Sequence, residues 1–405
     1  MITLVLSPRD GLFLKDGREW ASAVAGRAHS LDWPAPSTLL GALCTVCGRS
    51  RESRRGRLLS PDEWLALRRN LSLGSSLALR RPLARSTAPW ESSHRVWPVP
   101  ADALFLSAME NGNAMLRRLD PKPGTNLASL GRDEHDTARE TLWRPVPQDK
   151  AKPARPPAWW PDDAWVRWLA DPKDTRDWGA PFTGLALPRH VQAHVGIDSA
   201  TQAAHDEILF AHDVVETLDR TSGPGDRMIG EWAIGCQLDL PEDLSARHAT
   251  IGGDRRLATI TRANPTLFAC PPGLLEAFAR RPAGLRLIAA GPAAFAAGWL
   301  PDGFTAEGEI YRGRLPGIEE DLILRAALVS RAAHVSGWDM ATRQAKPTTR
   351  LVPPGTVYHL VKATPGGIFT RQEAERLWLI PLGKRTEEGF GRFVPGIWHP
   401  TGSAP

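Results

Sequence analysis

The chain has 405 residues, 42% hydrophobic and 23% charged, with a formal net charge of +5. That balance excludes a disordered chain, and the length exceeds what one core ordinarily holds, so two domains are expected. No run of eighteen apolar residues occurs, which excludes a membrane-spanning helix, and four cysteines (Cys44, Cys47, Cys236, Cys270) with no signal-like stretch after Met1 point to a reducing cytoplasm.

In chain order, Ile2 to Leu6 is a short β-like run closed by Ser7-Pro8, and Leu12-Phe13-Leu14 follows as a second extended piece before Asp16-Gly17. Pro36-Ser37-Thr38 is a cap-type start, and Leu39, Leu40, Leu43, Val46 and Cys47 put one apolar stripe on the helix behind it. Ser60-Pro61-Asp62-Glu63 is a capping box opening a second helix to about Asn70. Between Arg49 and Arg95 eleven arginines stand against four acids, a local excess of seven that leaves the rest of the chain net negative by two. Such a concentration attracts phosphates, or it is a solvated surface.

From about 98 to 180 the chain is rich in Pro, Trp and mixed charge with little periodicity, which reads as an insertion. Beyond it, Trp232 to Leu240, Leu285 to Ala289, Leu322 to Val329 and Thr356 to Val361 are predicted strands, and Gly273 to Arg281 a short helix. Thr370-Arg371-Gln372-Glu373 is a further capping box, with a helix ending before Pro381. Short strands and helices without regular alternation favour α+β.

Candidate chemistry is sparse. Cys44 and Cys47 form a CxxC pair, but they lie on the apolar stripe and no second pair exists, so core packing is expected over zinc or redox use. His190 and His194 are four apart without the glutamate of a zinc protease, and His205-Asp206 and His212-Asp213 are isolated dipeptides. No metal and no cofactor is expected. A histidine-based, metal-free ribonuclease remains an alternative, with His29, His190, His194 or His212 acting on a ribose hydroxyl. The sharpest local feature is the tail Gly383-Lys384-Arg385-Thr386-Glu387-Glu388-Gly389-Phe390-Gly391-Arg392-Phe393. Its glycines let backbone N–H groups approach a phosphate and its cations supply charge, or it is a plain turn between core strands.

The segments Ser7 to Arg18 and Pro36 to Leu43, then Arg189 to Asp198, Ile251 to Arg256, Ala297 to Pro301, Ser336 to Asp339, Val352 to Tyr358 and the glycine tail stand in an order that resembles one family. It is the RAMP-superfamily subunit that binds the crRNA 5′ tag in the type III-B CRISPR effector, the Cmr complex. The resemblance spans residues 3 to about 398, with 100 to 180 least covered. It implies two tandem ferredoxin-like (RRM-like) RAMP domains with insertions, which we place at 1–215, with the insertion at about 98–180, and at 216–405. It further implies a non-catalytic cytoplasmic protein that holds crRNA, meets target RNA only indirectly, and touches the large polymerase-like Cas subunit and a neighbouring RAMP backbone subunit. The RNA-binding residues expected are Arg9, Lys15, Arg18, Ser37, Thr38, Arg189, His194, Arg255, Arg256, Gly383, Lys384, Arg385, Gly389, Phe390, Gly391 and Arg392. Ser37 and Thr38 serve equally well as simple caps. Asp254 and Glu387-Glu388 depart from an all-cationic site and are expected to orient arginines or to face a protein. A pure scaffold, its basic surfaces against acidic proteins, is the third reading.

Overall fold

The computed structural model describes residues 1–15, 25–83, 87–107, 114–123, 142–145, 151–171, 184–222, 227–240, 244, 246–308, 310–339 and 344–400. The first strand, β1 (Ile2–Pro8), is followed by β2 (Ala25–Ala28), α1 (Pro36–Arg55), α2 (Pro61–Asn70), β3 (Ser72–Pro82), β4 (Arg95–Pro98) and β5 (Trp159–Pro161). Next come α3 (Asp162–Ala170), β6 (Arg189–Ile197), β7 (Ala204–Val215), β8 (Leu218–Ser222), β9 (Arg227–Asp239), β10 (His248–Ile251) and β11 (Arg256–Arg262). An eight-stranded antiparallel sheet has the order β10-β11-β1-β9-β3-β4-β5, with β8 also on β9. β6, β7 and β2 make a separate three-stranded sheet.

The remaining chain forms α4 (Pro272–Phe278), β12 (Gly284–Ala289), β13 (Phe304–Glu307), β14 (Ile310–Gly313), β15 (Leu322–Leu328), β16 (Val357–Lys362), α5 (Arg371–Leu377), β17 (Ile380–Pro381) and β18 (Arg392–Trp398). Its strands build a seven-stranded antiparallel sheet, β13-β14-β15-β16-β12-β18-β17. The fold is therefore mixed α and β, with five α-helices among the described residues. None of these helices is long and apolar enough to cross a membrane.

Side-chain alternation decides how the layers meet. On β1, Leu4 and Leu6 face the apolar stripe of α1 (Leu39, Leu40, Leu43, Val46), whereas Val5 points to the other face. There Val5 joins Leu77, Leu79 and Ala233 in one cluster with Leu285, Leu287, Phe393 and Val394 of the seven-stranded sheet. The two large sheets share a core. The boundary expected at 215/216 falls inside the first sheet, because β9 and β11 pair with β1, and strands of the second sheet begin only at Gly284.

The region expected as an insertion into the first half divides its loyalties. β4 and β5 extend the first sheet, but α3 packs beside α4 and β18, and Trp97, Trp160, Trp165, Trp168 and Phe105 are buried in the shared core. A buried ion pair secures it. Arg286 on β12 donates Nη1 to Asp102 Oδ2 at 2.7 Å, Nε to the Ile397 carbonyl at 2.8 Å and Nη2 to the Trp168 carbonyl at 2.5 Å. Asp102 accepts Trp168 Nε1 at 2.8 Å, and neither Asp102 nor Arg286 reaches solvent.

Candidate nucleic-acid interface

The expected RNA-binding residues divide between two connected neighbourhoods. The first is built by the three-stranded sheet, the Leu12–Leu14 segment and the turn before β11. Leu12 exchanges backbone hydrogen bonds with Val215, and Phe13 accepts from Gly253 N–H at 2.8 Å, so this segment is threaded between β7 and the turn. Gly252 has φ +73, and a Cβ there would stand 2.4 Å from the Phe13 carbonyl oxygen, which is why only glycine fits this crossing. Lys15 and Arg255 are exposed at its rim, and exposed Arg9 donates to Thr259 Oγ1 at 3.0 Å. Arg256 donates to Gln192 Oε1 at 2.6 Å and lies 3.5 Å from Asp254. Arg189 is tied to Asp32 and to the Ser30 carbonyl, so it braces the sheet instead of standing free for phosphate. Arg18 lies outside the described residues.

Histidines cluster here. His194 stacks on Phe210 and on His212, with ring centroids 5.1 and 4.5 Å apart, and Phe13 closes the far side of His212 at 4.3 Å. Burial lowers the His212 pKa below its ordinary value although Asp254 opposes this, so its ring is neutral near pH 7. On the opposite face of β7, buried Asp213 binds Arg27, and its Oδ2 lies 3.0 Å from His29 Nδ1; His190 pairs with Glu216 at 2.6 Å.

The second neighbourhood surrounds a cleft of about 510 Å³ between the two large sheets, lined by Trp33, Trp159, Pro292, His334, Gly389 and Arg392 among others. Asp32 lines it too, so the Arg189–Asp32 pair and the Lys15–Ser30 bridge lead from the first neighbourhood to this wall. α1 begins at its edge. Its N-cap is Ala35, without a side-chain cap, so Ser37 and Thr38 sit half-buried inside the first turn and do not cap the helix.

The glycine tail closes the cleft from the other side, and mostly as a clasp. Leu73 N–H donates to the Glu387 carbonyl at 2.8 Å, and Arg392 Nη2 donates to the carbonyls of Thr386 (2.8 Å) and Leu73 (3.3 Å), tying the tail to β3. Gly391 has φ +69, and a Cβ would lie 1.9 Å from the Leu382 oxygen; Gly389 is buried against Leu73, and Gly383 against the Ala294 carbonyl. These glycines serve tight packing of protein backbone. Phe390 is fully buried with Ala35, Val335 and Leu351, so the expected stacking surface is sealed. Arg385 is held by Glu388 through Nε at 3.1 Å and Nη2 at 2.9 Å, with Thr349 at 3.2 Å. Burial raises the Glu388 carboxyl's pKa, but Arg385, with Arg68, outweighs it and holds the group ionised. Burial lowers Arg392 to about 10. Of the tail's cations, Lys384 alone is exposed.

Six arginines of the arginine-rich stretch are likewise paired with acids. Arg81 and Arg95 are interior, bound to Glu231 and Asp162, while Arg49 pairs with Glu52, Arg55 and Arg57 share Glu63, and Arg68 reaches Glu388. Cys44 and Cys47 are buried free thiols on α1, as packing predicts. Trp33, Trp159 and the His194–His212–Asp254 grouping escaped sequence reasoning, because their partners come from distant strands and no local spacing marks them.

The family model for CRISPR-associated protein (Cas_Cmr3) matches residues 4–398. No curated protein matches the chain. Among solved structures it is similar to a chain of the type III-B Cmr-beta complex bound to cognate target RNA and AMPPnP, at 11% identity, covering 88% of this chain and 86% of that one, with a TM-score of 0.42. A second Cmr-beta structure, bound to cognate target RNA, matches at 11% identity, the same coverage and a TM-score of 0.40. A chain of the type III-A Csm3-Csm4 subcomplex matches at 8% identity, covering 91% and 96%, with a TM-score of 0.29.

Proposed function

The chain belongs to the CRISPR-associated Cas_Cmr3 family, and so to the Cmr subunits of type III-B effectors, and we propose that it binds the 5′ tag of the crRNA without cleaving it. The observation that carries this reading is the cleft between the large sheets. It offers what an unstacked single strand needs, namely the partly exposed indoles of Trp33 and Trp159 as base platforms, with exposed Lys384 on the glycine tail that closes it and exposed Lys15, Arg9 and Arg255 in the connected first neighbourhood as phosphate contacts. We take the two large antiparallel sheets as the paired ferredoxin-like RAMP domains, a reading supported by the α1 crossover between β1 and β3. In the assembled effector the chain caps the complex in the cytoplasm beside the large Cas subunit and the first backbone subunit. The exposed apolar side chains of Val191, Val195, Ile197 and Leu209 on the three-stranded sheet support a protein neighbour there.

The test is binding of a labelled single-stranded tag RNA to the purified chain across salt concentrations. Trp159→Ala should weaken binding by about 1–3 kcal/mol with the salt slope intact. Lys384→Ala with Arg255→Ala should flatten the slope by about 1.4, two phosphates at about 0.7 each on a single strand. Wild-type binding by both variants refutes the assignment.

One observation favours a second reading, an endoribonuclease that processes repeat RNA: buried Asp213 orients the half-exposed His29, as a general base requires. Discrete cleavage of repeat RNA, abolished by His29→Ala, would establish it over the first.

A further inference from the structure

We propose that His194, His212 and Asp254 form a binding site for one divalent transition-metal ion of the zinc class, independent of the RNA reading above. Their ligand atoms lie within 4.8 Å of one another. They come from β6, from β7 and from the turn before β11, so an ion bound there staples the three-stranded sheet to the eight-stranded one.

The strongest geometric sign is one edge of the coordination figure. Zinc bonds of about 2.0–2.2 Å to nitrogen and oxygen give a tetrahedron whose edges are about 3.3–3.6 Å, and His212 Nε2 stands 3.3 Å from Asp254 Oδ2, at the short end of that range. The two atoms sit at that separation without forming a hydrogen bond, since His212 Nε2 has no partner and neither does His194 Nε2, both shielded from solvent. His212 itself is 1% exposed. Two sheltered imidazole nitrogens grouped with a carboxylate are a donor set for zinc, nickel or cobalt, whereas magnesium and calcium prefer oxygen alone.

The backbone is arranged to deliver the third ligand. Asp254 and Arg255 both occupy the left-handed region, at φ 53 and 52, with Gly252 at 73 just before them across Gly253. This unfavourable conformation turns the Asp254 carboxylate inward to His212. Asp254 is half exposed, so the fourth position opens to solvent. Two features weaken the site relative to a closed one. Arg256 shares the same carboxylate oxygen at 3.5 Å, and the rings of His194 and His212 are stacked at 25°, so His194 must swing about its Cβ–Cγ bond to aim its lone pair at the ion.

The experiment is titration of the chelator-treated full chain with Zn²⁺ against a chromophoric competitor, and with Co²⁺ by visible absorption. One equivalent should bind, with cobalt d–d bands and no thiolate charge-transfer band, and thermal stability should rise on loading. His194→Ala and Asp254→Asn, both at partly exposed positions, should each weaken binding about tenfold or more, while His248→Ala on β10 should bind like wild type; unfolding of each metal-free variant at the wild-type temperature checks that the fold is kept. Failure of the wild-type chain to take up either ion at micromolar concentration overturns the proposal. So does unchanged affinity in both ligand variants, or a thiolate band that moves the ion to Cys44 and Cys47.

Discussion

Replacing Arg286 by methionine tests how the middle of the chain is joined to the second sheet. The substitution keeps an unbranched apolar stem on β12 but removes four hydrogen bonds and the counter-charge of Asp102, which reaches no solvent. Burial pushes the Asp102 carboxyl up and the neighbouring guanidiniums Arg286 and Arg118 pull it further down, so the native group is ionised because of those charges. Without Arg286 a buried carboxylate keeps Trp168 Nε1 as its main donor, and the carbonyls of Ile397 and Leu169 lose the guanidinium, while the Trp168 carbonyl keeps Arg118 Nη2 at 2.6 Å. Breaking such a pair costs about 3–5 kcal/mol. With a urea m-value of about 3 kcal/mol/M, the unfolding midpoint falls by about 1–1.7 M. Asp102→Leu with Arg286→Met should regain much of that loss, since a matched apolar pair carries no uncompensated charge. Urea unfolding of both single variants and the double, followed by tryptophan fluorescence, supplies the cycle. A loss under about 1 kcal/mol for Arg286→Met, or simple additivity in the double, would refute the reasoning.

Buried His359, held down to about 3 by burial with Arg286 and Arg118 against the pull of Asp102, gives a pH dependence. The unfolded chain takes up this proton near pH 6.5 and the folded one does not, so stability present above 6.5 is lost as pH falls toward 3. Between pH 6.5 and 5 the wild type should lose about 2 kcal/mol more than His359→Gln, read from urea midpoints. Two glycines should answer oppositely to alanine. Gly391→Ala, at φ +69 with no room beside Leu382, should cost about 1–3 kcal/mol or more, whereas Gly41→Ala on the exposed face of α1 should add about 0.5–1 kcal/mol, both read as melting shifts. Arg385→Ala should lower the melting temperature and leave the salt slope of RNA binding unchanged, because its guanidinium is spent on Glu388 and Thr349.

Local sequence was a sound guide wherever local forces decide. Both capping boxes, Ser60 with Glu63 and Thr370 with Glu373, form with their helices, since every group involved lies within four residues. The strands around residues 2–6, 232–240, 285–289, 322–329 and 356–361 appear within a few residues of their expected ends, and the stripe from Leu39 to Cys47 is buried. Local sequence misled over the tail, where glycines and cations mark a tight backbone near charge without saying whether a phosphate or a protein carbonyl fills the space.

The chain's order of residues thus determined its family, its helix starts, its strand faces and the absence of a long apolar span, all of which follow from neighbours a few positions apart. Only the tertiary structure decided that Phe390 is sealed, that six of the clustered arginines are answered by acids, and that Asp102 meets Arg286 across 184 positions. The physical reason is that a charge or a ring acquires its role from what burial brings against it. Those partners, as with His194, His212 and Asp254, arrive from strands whose meeting depends on the pairing of whole sheets.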